Sequence, residues 1–216
     1  MALNPKVVDL YHGDDLVYTD DEHNFQAVYD SGIRGIIHKA TEGPTMVDAR
    51  CRPREIAARA AGLLWGWYHF MRPGDPAKQA EHFFTTIGGH TRGPGVLVLD
   101  HEEPSVGVGA ALRWMEVIRL ISGLTPWIYS GFLIRQQMDN RHKPEWAEFP
   151  LWLPEYGPVA KVPLPWQKYT LWQFTGDGEG PLPHSVPGIA HAVCDISSFD
   201  GTDEELRTVW LGGKSQ

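Results

Sequence analysis

Residues 93–104 read GPGVLVLDHEEP, an apolar run that begins after a Gly-Pro-Gly turn and ends in four polar residues. Four successive apolar side chains predict a short strand that is buried on both faces. Because side chains alternate along a strand, Asp100 and Glu102 point to one face, with about 6.6 Å between their α-carbons. Barrel enzymes carry their catalytic groups at the carboxyl ends of such strands, so we expect chemistry at this point of the chain.

Eight runs of the sequence have strand character, and helical patterns follow the first five. They are KVVDL (6–10), IRGIIHKA (33–40), LLWGWYHF (63–70), VLVLDHE (96–102), PWIYS (126–130), FPLWL (149–153), YTLWQF (169–174) and AVCDIS (192–197). Strands that alternate with helices form parallel sheets, and eight strands favour closure into a barrel. The loops between the last three runs are rich in proline and glycine, with no room for full crossover helices. We therefore predict an α/β fold, an irregular TIM-like (β/α)5(β)3 barrel.

Two of the helices carry clear boundary signals. In residues 75–89, Asp75 is expected to cap the helix and Pro76 to occupy its first position. In residues 108–124, Gly123 is expected just past the helix end. The apolar stripes of both helices are expected to pack in the core, and they consist of Ala80, Phe83, Phe84 and Ile87 in the first and Leu112, Met115, Ile118 and Ile121 in the second.

The composition is that of a globular protein. Of the 216 residues, 42% are hydrophobic and 21% charged, and we expect one domain over residues 1–216 with its core over 5–211. The longest apolar runs fall well short of the roughly 20 residues that cross a bilayer, so no membrane insertion is expected. A net charge of -8 argues against a nucleic-acid partner, which normally requires a basic patch. Cys51 and Cys194 lack the spacing of a metal site, and we expect two buried thiols.

Two further acids interrupt apolar strands. Asp9 lies in the first predicted strand and Asp195 in the last, and these strands are neighbours in a closed barrel. Four carboxyl groups around one mouth repel when ionised, which raises the pKa of at least one and supplies a proton donor near neutral pH. Glycoside hydrolysis needs such a donor beside a second, ionised carboxylate. The remaining acids near these segments are expected in solvated loops or helix caps, namely Asp14, Asp15, Asp20, Asp21 and Glu103.

Aromatic residues near the predicted strand ends suit a sugar ligand, because flat apolar faces pack against sugar rings. The candidates for substrate contact are Tyr68, Tyr129, Trp152 and Gln173. Trp65 and Trp67 lie on the opposite strand face from Tyr68, so we expect them to pack against the helices. Residues 154–168 are expected to form a surface loop near the site.

Three other kinds of protein are alternatives to this interpretation of the residues. A metal-dependent barrel hydrolase would draw its ligands from Asp100, His101, Glu102, His69 and His12. The sequence has no HExxH motif, however, and strand alternation turns His101 away from Asp100 and Glu102. A glycan-binding barrel without activity would be expected to lose its proton donor, and Glu102 is present. A serine hydrolase would need a GxSxG elbow, which is missing. We expect neither a metal nor a cofactor.

Seven segments occur together in a distinctive order: VVDL, GIRGIIHKATEG, AARAAGLLWGWYHF, VLVLDHE, PWIYSG, LWQFTGDG and CDISSFDGTDEEL. With them the chain resembles the glycoside hydrolase family 25 lysozymes, the Chalaropsis-type N-acetylmuramidases of phages, bacteria and fungi. The resemblance covers nearly the whole chain. It implies an irregular barrel of five βα units and three further strands. We expect no separate wall-binding domain within residues 1–216. The resemblance also implies cleavage of the β-1,4 bond between N-acetylmuramic acid and N-acetylglucosamine in peptidoglycan, without metal or cofactor.

The resemblance implies a role for each acid. Glu102 would be the general acid and Asp100 its partner carboxylate. Asp9 and Asp195 would complete the acidic floor, with Tyr68 beside it. The sequence leaves two roles open for Asp100: it is either a nucleophile or a group that orients the substrate's acetamido group to attack its own anomeric carbon.

The chain departs from the family pattern in three places. Tyr11 stands where a serine is common, and Ser197 stands where an asparagine is common. Leu153 and Pro154 replace smaller residues. All four acids are kept, so these differences concern substrate contacts more than activity.

The opening residues, MALNPKVVDLYHG, contain no apolar segment of a secretory signal peptide. We therefore expect a monomer that acts on peptidoglycan glycan strands in the periplasm or outside the cell, after release by lysis, a holin or a dedicated secretion system. A phage endolysin and a bacterial effector or autolysin both fit. The sequence identifies no export apparatus or inhibitor protein.

Overall fold

The computed structural model describes residues 3–89, 93–138, 143–190 and 193–212. In chain order its elements are β1 (Pro5–Leu10), α1 (Asp21–Asp30), β2 (Gly35–Glu42), β3 (Met46–Val47), α2 (Cys51–Ala60), β4 (Leu64–Phe70), α3 (Pro76–Thr86), β5 (Val96–Asp100), α4 (Val108–Ser122), β6 (Trp127–Tyr129), α5 (Phe132–Met138), a 3-10 helix (Pro144–Glu148), β7 (Leu151–Pro154), β8 (Leu171–Thr175), β9 (Asp195–Ser198) and α6 (Asp203–Trp210). All eight predicted strands are present, and the short β3 is an addition.

Eight strands close into a barrel in the order β1-β2-β4-β5-β6-β7-β8-β9, because β1 pairs with both β2 and β9. The pairings from β1 round to β8 are parallel, whereas β9 is antiparallel to both of its neighbours. The added strand β3 pairs antiparallel with β2 outside the barrel. The predicted barrel of the α/β class is confirmed.

The direction of β9 is a feature that the sequence patterns do not predict. The antiparallel register of β8 and β9 shows that the chain enters β9 at the end of the barrel where β8 stops. A strand that starts beside the end of its neighbour runs antiparallel to it. Asp195, the first residue of β9, therefore lies at the same end of the barrel as the last residues of the parallel strands.

The predicted helix boundaries are confirmed. Asp75 caps α3 by accepting hydrogen bonds from the backbone N–H groups of Ala77 and Lys78, at 2.9 and 3.3 Å. Gly123 follows α4 in the left-handed conformation, with φ at 72°, which a residue with a side chain rarely adopts.

The predicted stripe of α4 packs on the core, and the buried face of the helix also includes Trp114. Leu112 and Ile121 are only half-buried, whereas Trp114 is fully buried. The indole of Trp114 stacks on the imidazole of His69 in β4, with 5.6 Å between ring centroids, and packs against Phe83 of α3. This large aromatic side chain therefore lies between α3 and the barrel.

Two hydrophobic layers support the barrel. The outer layer lies between strands and helices and contains Trp65 and Trp67, as predicted. The inner layer includes Trp210 of α6, whose ring lies against Gly35 and Gly66 near the starts of their strands. The Trp210 indole N–H donates a 2.8 Å hydrogen bond to the carbonyl oxygen of Trp65. The amino end of the barrel is therefore filled, and the carboxyl end is left for a pocket.

The described helices and both cysteines agree with the expectations from composition. Within the four described ranges, no helix combines the length and apolar character that a membrane span requires. Cys51 and Cys194 are both buried.

Candidate active site

An open pocket of about 240 Å³ lies at the carboxyl end of the parallel strands. Among the described residues, five acids, one lysine and six aromatic residues line it, namely Asp9, Tyr11, Lys39, Tyr68, Phe70, Asp100, Glu102, Tyr129, Trp152, Tyr156, Asp177 and Asp195. The four acids predicted as catalytic are all in this lining, and so are three of the four residues predicted to contact substrate. The exception is Gln173, which lies behind the pocket wall.

Asp9 and Asp195 lie directly opposite each other where β1 pairs with β9. Burial, and then the charge of Asp195, raises the pKa of Asp9 well above its ordinary value. The amide of Gln173 donates a 2.9 Å hydrogen bond to Asp9 Oδ1, which opposes that rise in pKa. Closure of the barrel thus places two carboxyl groups side by side.

Asp100 is the last residue of β5 and forms the deep part of the pocket, with 6% of its surface exposed. Its Oδ1 atom is buried and has no hydrogen-bond partner among the described residues. Burial, and then the nearby Glu102, raises the pKa of Asp100 well above its ordinary value. A buried carboxyl oxygen without a partner is costly, and it is suited to accept a hydrogen bond from a ligand.

Glu102 lies two residues past the end of β5, in the loop that follows, and is exposed at the pocket mouth. Desolvation by the surrounding protein raises the pKa of Glu102 to about 7, with further contributions from Asp195 and Asp177. Lys39 acts in the opposite direction. The sequence predicted a raised pKa from repulsion between carboxylates. The structure adds desolvation as the larger cause, and it supplies a carboxyl group that can carry a proton near neutral pH.

His101 faces away from the pocket, as strand alternation predicts. Its ring Nε2 lies 2.8 Å from the carbonyl oxygen of Val106, and its backbone N–H donates to the carbonyl oxygen of Tyr129 at 2.9 Å. The hydroxyl of Ser130 donates to the His101 carbonyl oxygen at 2.8 Å. These bonds fix the chain immediately before Glu102.

The histidines of the metal-site hypothesis are dispersed. His69 is buried between Thr41 and Gln79, 2.7 and 3.1 Å from its two ring nitrogens. His12 lies beside Asp48, at 3.2 Å. Neither histidine lines the pocket, and the described residues contain no group of three or more side chains arranged to hold a metal ion.

The floor of the site, rather than an open wall, contains Tyr129, Trp152 and Gln173. They are 7%, 2% and 1% exposed, respectively. The Tyr129 hydroxyl donates to Gln173 Oε1 at 2.7 Å, and the Trp152 indole N–H donates to Ser197 Oγ at 2.8 Å. The Gln173 amide therefore joins Tyr129 to Asp9 through two buried hydrogen bonds. Ser197, one of the departures from the family pattern, supports the floor through Trp152.

Lys39 is a pocket residue that the sequence reasoning missed. Its ammonium nitrogen lies 5.1 Å from the ring centroid of Phe70 and within 6 Å of the rings of Tyr11 and Tyr68, at 5.4 and 5.8 Å. It also donates a 2.9 Å hydrogen bond to Glu42 Oε2. Alternation along GIIHKA places Lys39 on the same strand face as the interior residue Ile37, so the signal was present in the sequence.

Tyr11 and Tyr156 supply the exposed aromatic surface of the pocket, at 42% and 38% exposure. The ring of Tyr11 lies so close to Gly13 that a side chain at Gly13 would collide with it. Tyr156 belongs to the predicted loop of residues 154–168, which does border the site. No periodicity marks either tyrosine as a pocket residue.

Asp177 reaches the pocket from a turn between β8 and β9, with φ at 52°. A side chain on the preceding Gly176 would collide with Tyr156 and with Asp195. This turn is irregular, and a lone acid between two glycines carries no strand or helix pattern, so the sequence reasoning did not identify it.

Comparisons with known proteins agree with this geometry. The family model for glycosyl hydrolases family 25 matches residues 14–181. The autolytic lysozyme of Clostridium acetobutylicum is 31% identical in an alignment of 205 positions, which covers 90% of this chain and 55% of that protein. This chain thus spans little more than half the length of that relative.

Two solved structures share the fold. The muramidase from Trichobolus zukalii has a TM-score of 0.75 at 27% identity, covering 97% of this chain and 99% of that one. The bacterial lysozyme from Streptomyces coelicolor has a TM-score of 0.81 at 22% identity, covering 99% of this chain and 100% of that one.

The matched residues include Asp100 at the end of β5 and Glu102 in the loop that follows, whereas Asp9 and Asp195 lie outside them and are brought to the site by barrel closure. The sequence match extends over more than half of the chain, and the barrel and its pocket agree with it. The chain therefore belongs to glycosyl hydrolases family 25.

Proposed function

We propose that this chain is a peptidoglycan hydrolase of the N-acetylmuramidase type, which cleaves the β-1,4 bond between N-acetylmuramic acid and N-acetylglucosamine. One observation carries the proposal: an exposed Glu102 whose pKa is raised to about 7 shares a pocket with the buried Asp100. A proton donor beside a second carboxyl group is what glycoside hydrolysis requires. Family membership supports the same reaction.

In this mechanism Glu102 is the general acid. It donates its proton to the glycosidic oxygen while the bond from that oxygen to the anomeric carbon breaks, and the released sugar leaves as an alcohol. The resulting Glu102 carboxylate then accepts a proton from the water that attacks the anomeric carbon. The raised pKa keeps Glu102 protonated at the start of each cycle in mildly acidic solution.

For Asp100 we propose the orienting role rather than the role of nucleophile. Only 6% of its surface is exposed, and its Oδ1 lacks a partner among the described residues. The N–H of the substrate's acetamido group would donate a hydrogen bond to that carboxylate. The acetamido carbonyl oxygen would then attack the anomeric carbon, and water would open the resulting ring. A covalent sugar on Asp100, detected by mass spectrometry with a slow substrate, would contradict this role.

The remaining acids and aromatic residues are proposed to shape the site. Asp9 and Asp195 form the acidic floor that favours a developing positive charge on the sugar ring. Tyr68 lies beside them, and Lys39 limits the mutual repulsion of the carboxylates. Sugar rings would contact the two exposed tyrosines, Tyr11 and Tyr156.

We further propose that residues 1–216 act as one catalytic domain, with its core over residues 5–211. In this proposal the protein is a monomer that needs no metal or cofactor and acts on the cell wall in the periplasm or outside the cell. Release by lysis, a holin or a dedicated secretion system stays an expectation from the sequence.

Mass spectrometry of the fragments released from purified peptidoglycan tests the reaction directly. The wild type is expected to release disaccharide-peptides with muramic acid at the reducing end, and Glu102→Gln is expected to release none. Glu116→Gln is the matched control, since Glu116 is an exposed glutamate on α4 outside the pocket lining. A wild type that sediments with the wall without releasing fragments would instead be a glycan-binding barrel, and the proposed reaction would be wrong.

A further inference from the structure

A chain of ion pairs crosses the rim of the pocket and links three strand ends. Lys39 Nζ donates to Glu42 Oε2 at 2.9 Å. Arg72 donates from Nε and from one terminal nitrogen to Glu42 Oε1, at 2.9 and 2.7 Å. The other terminal nitrogen of Arg72 donates to Glu103 Oε2 at 2.8 Å. Arg72 thus holds two carboxylates at once, one at the end of β2 and one in the loop after β5.

Glu102 depends on its backbone for its position. Its side chain has no hydrogen bond to any residue that the structure describes, so the neighbouring residues decide where its carboxyl group lies. His101 is fixed on one side, as described above. On the other side Glu103 is held by Arg72 and accepts hydrogen bonds from the N–H and hydroxyl of Ser105, at 3.2 and 2.6 Å. Arg72 is the only one of these partners that comes from another strand's loop and also reaches the Lys39 side of the pocket.

The same arginine determines where the Lys39 ammonium lies. Because Arg72 occupies Glu42 Oε1, Oε2 is directed to Lys39, whose ammonium faces the aromatic rings of the pocket. Among the pocket-lining residues Lys39 is the cation, and its charge favours the ionised forms of Asp100 and Glu102. Without Arg72, Glu42 would be free to rotate and the ammonium would lose its fixed partner.

We propose that Arg72 is a positioning residue for the reaction, which acts on Glu102 through Glu103 and on Lys39 through Glu42. The proposal rests on the proposed function and extends it to a residue outside the pocket lining. Because Arg72 does not line the pocket, it would act through its two carboxylate partners and not by contact with the reacting atoms. Its effect is to fix the relative placement of the proton donor and the pocket cation.

A positioning role and a purely structural role predict different measurements. The side chain of Arg72 is 43% exposed, and exposed ion pairs contribute little to stability. Misplacing a catalytic group by about 1 Å, in contrast, lowers turnover by up to about a hundredfold. Loss of Arg72 should therefore reduce kcat strongly while leaving the melting temperature almost unchanged.

The test compares Arg72→Met, Arg72→Lys and Arg119→Met with the wild type on soluble, peptide-free glycan chains, with reducing ends as the readout. Arg119 is a close match: it is also 43% exposed, donates to Glu148 at 2.8 Å, and lies over the ring of Phe149, as Arg72 lies over Phe70. Arg119 is remote from the pocket lining.

For Arg72→Met we expect kcat to fall at least about tenfold with KM within about threefold of wild type, the pattern of a misplaced catalytic group. The melting temperature should stay within about 4 °C. Arg72→Lys should lie between Arg72→Met and wild type, since one ammonium cannot pair with both carboxylates in the same geometry. Combining Arg72→Met with Glu103→Gln should reduce kcat little further than Arg72→Met alone, because both changes release the same loop.

The outcomes separate this proposal from the proposed function. If the wild type releases no reducing ends, the proposed function fails, and the positioning role fails with it. If the wild type is active and Arg72→Met retains kcat within twofold, or loses no more than Arg119→Met, only the positioning role is overturned. A fall in kcat that is matched by a large fall in melting temperature would likewise overturn it in favour of a structural role.

Discussion

Replacing Gln173 by methionine should destabilise the barrel far more than the loss of one surface amide would. The Gln173 side chain is 1% exposed and makes two buried hydrogen bonds, from its Nε2 to Asp9 Oδ1 at 2.9 Å and from the Tyr129 hydroxyl to its Oε1 at 2.7 Å. Methionine has a similar volume but neither donates nor accepts in this way. The substitution therefore leaves two polar groups unpaired in the floor of the pocket.

The size of the effect follows from that count. Each buried group left without a partner costs about 1–3 kcal/mol, so Gln173→Met should lower the free energy of unfolding by about 2–6 kcal/mol. Tyr129→Phe alone should cost about 1–3 kcal/mol, because it leaves Gln173 Oε1 unpaired. In the double variant only Asp9 lacks its partner. Adding Tyr129→Phe to Gln173→Met should therefore restore about 1–3 kcal/mol instead of removing more.

Urea unfolding of the two single variants, the double variant and the wild type measures these free energies. Gln26→Met is the control, because Gln26 also donates a 2.9 Å hydrogen bond to an aspartate, Asp30, but on the exposed face of α1. This substitution should change the free energy of unfolding by less than about 0.5 kcal/mol. A loss below about 1 kcal/mol in Gln173→Met, or a double variant less stable than Gln173→Met, would refute the reasoning that these bonds are buried and shared.

Three further predictions concern the acids and the exposed aromatic surface. The kcat/KM of the wild type should depend on pH with a bell shape. It should fall above about pH 7, where Glu102 loses its proton, and below the raised pKa of Asp100, where Asp100 becomes protonated. A flat profile between about pH 4 and 9 would contradict the assignment. Asp100→Asn should lower turnover at least about a hundredfold. It should also raise the melting temperature at pH 7, because a carboxyl group whose pKa is raised by folding opposes folding above its ordinary pKa, and this gain should disappear as the pH falls towards that value. Tyr11→Ser should raise KM about two- to tenfold with little change in kcat, whereas Tyr18→Ser, at an exposed tyrosine outside the pocket lining, should leave KM unchanged.

The strand pattern predicted the acids well because burial and alternation act on every residue of a strand. Asp9 and Asp100 interrupt apolar runs, and both reached the pocket. Glu102 was assigned to β5 itself, yet the strand ends at Asp100. Asp100 and Glu102 nevertheless both line the pocket, and His101 is held on the opposite side.

The exposure of the predicted contact residues was harder to predict, because exposure depends on neighbours from distant parts of the chain. Trp152 and Gln173 face the right end of the barrel, but Ser197 and Asp9 occupy their polar atoms and the floor covers them. Asp177 was missed because its orientation depends on an irregular turn. No local pattern specifies such long-range contacts.

The antiparallel last strand has a consequence for the order of folding. Asp9 and Asp195 come together only when β1 pairs with β9, a pairing that also includes a bond from the Asn4 backbone N–H to Ser198 Oγ across 194 positions of the chain. Contacts between such distant positions form late, because a long loop must be ordered before they stabilise the fold. The acidic site is therefore absent from any partly folded chain that has not closed its barrel. Recovery of activity during refolding would report barrel closure itself, separately from the earlier appearance of helices.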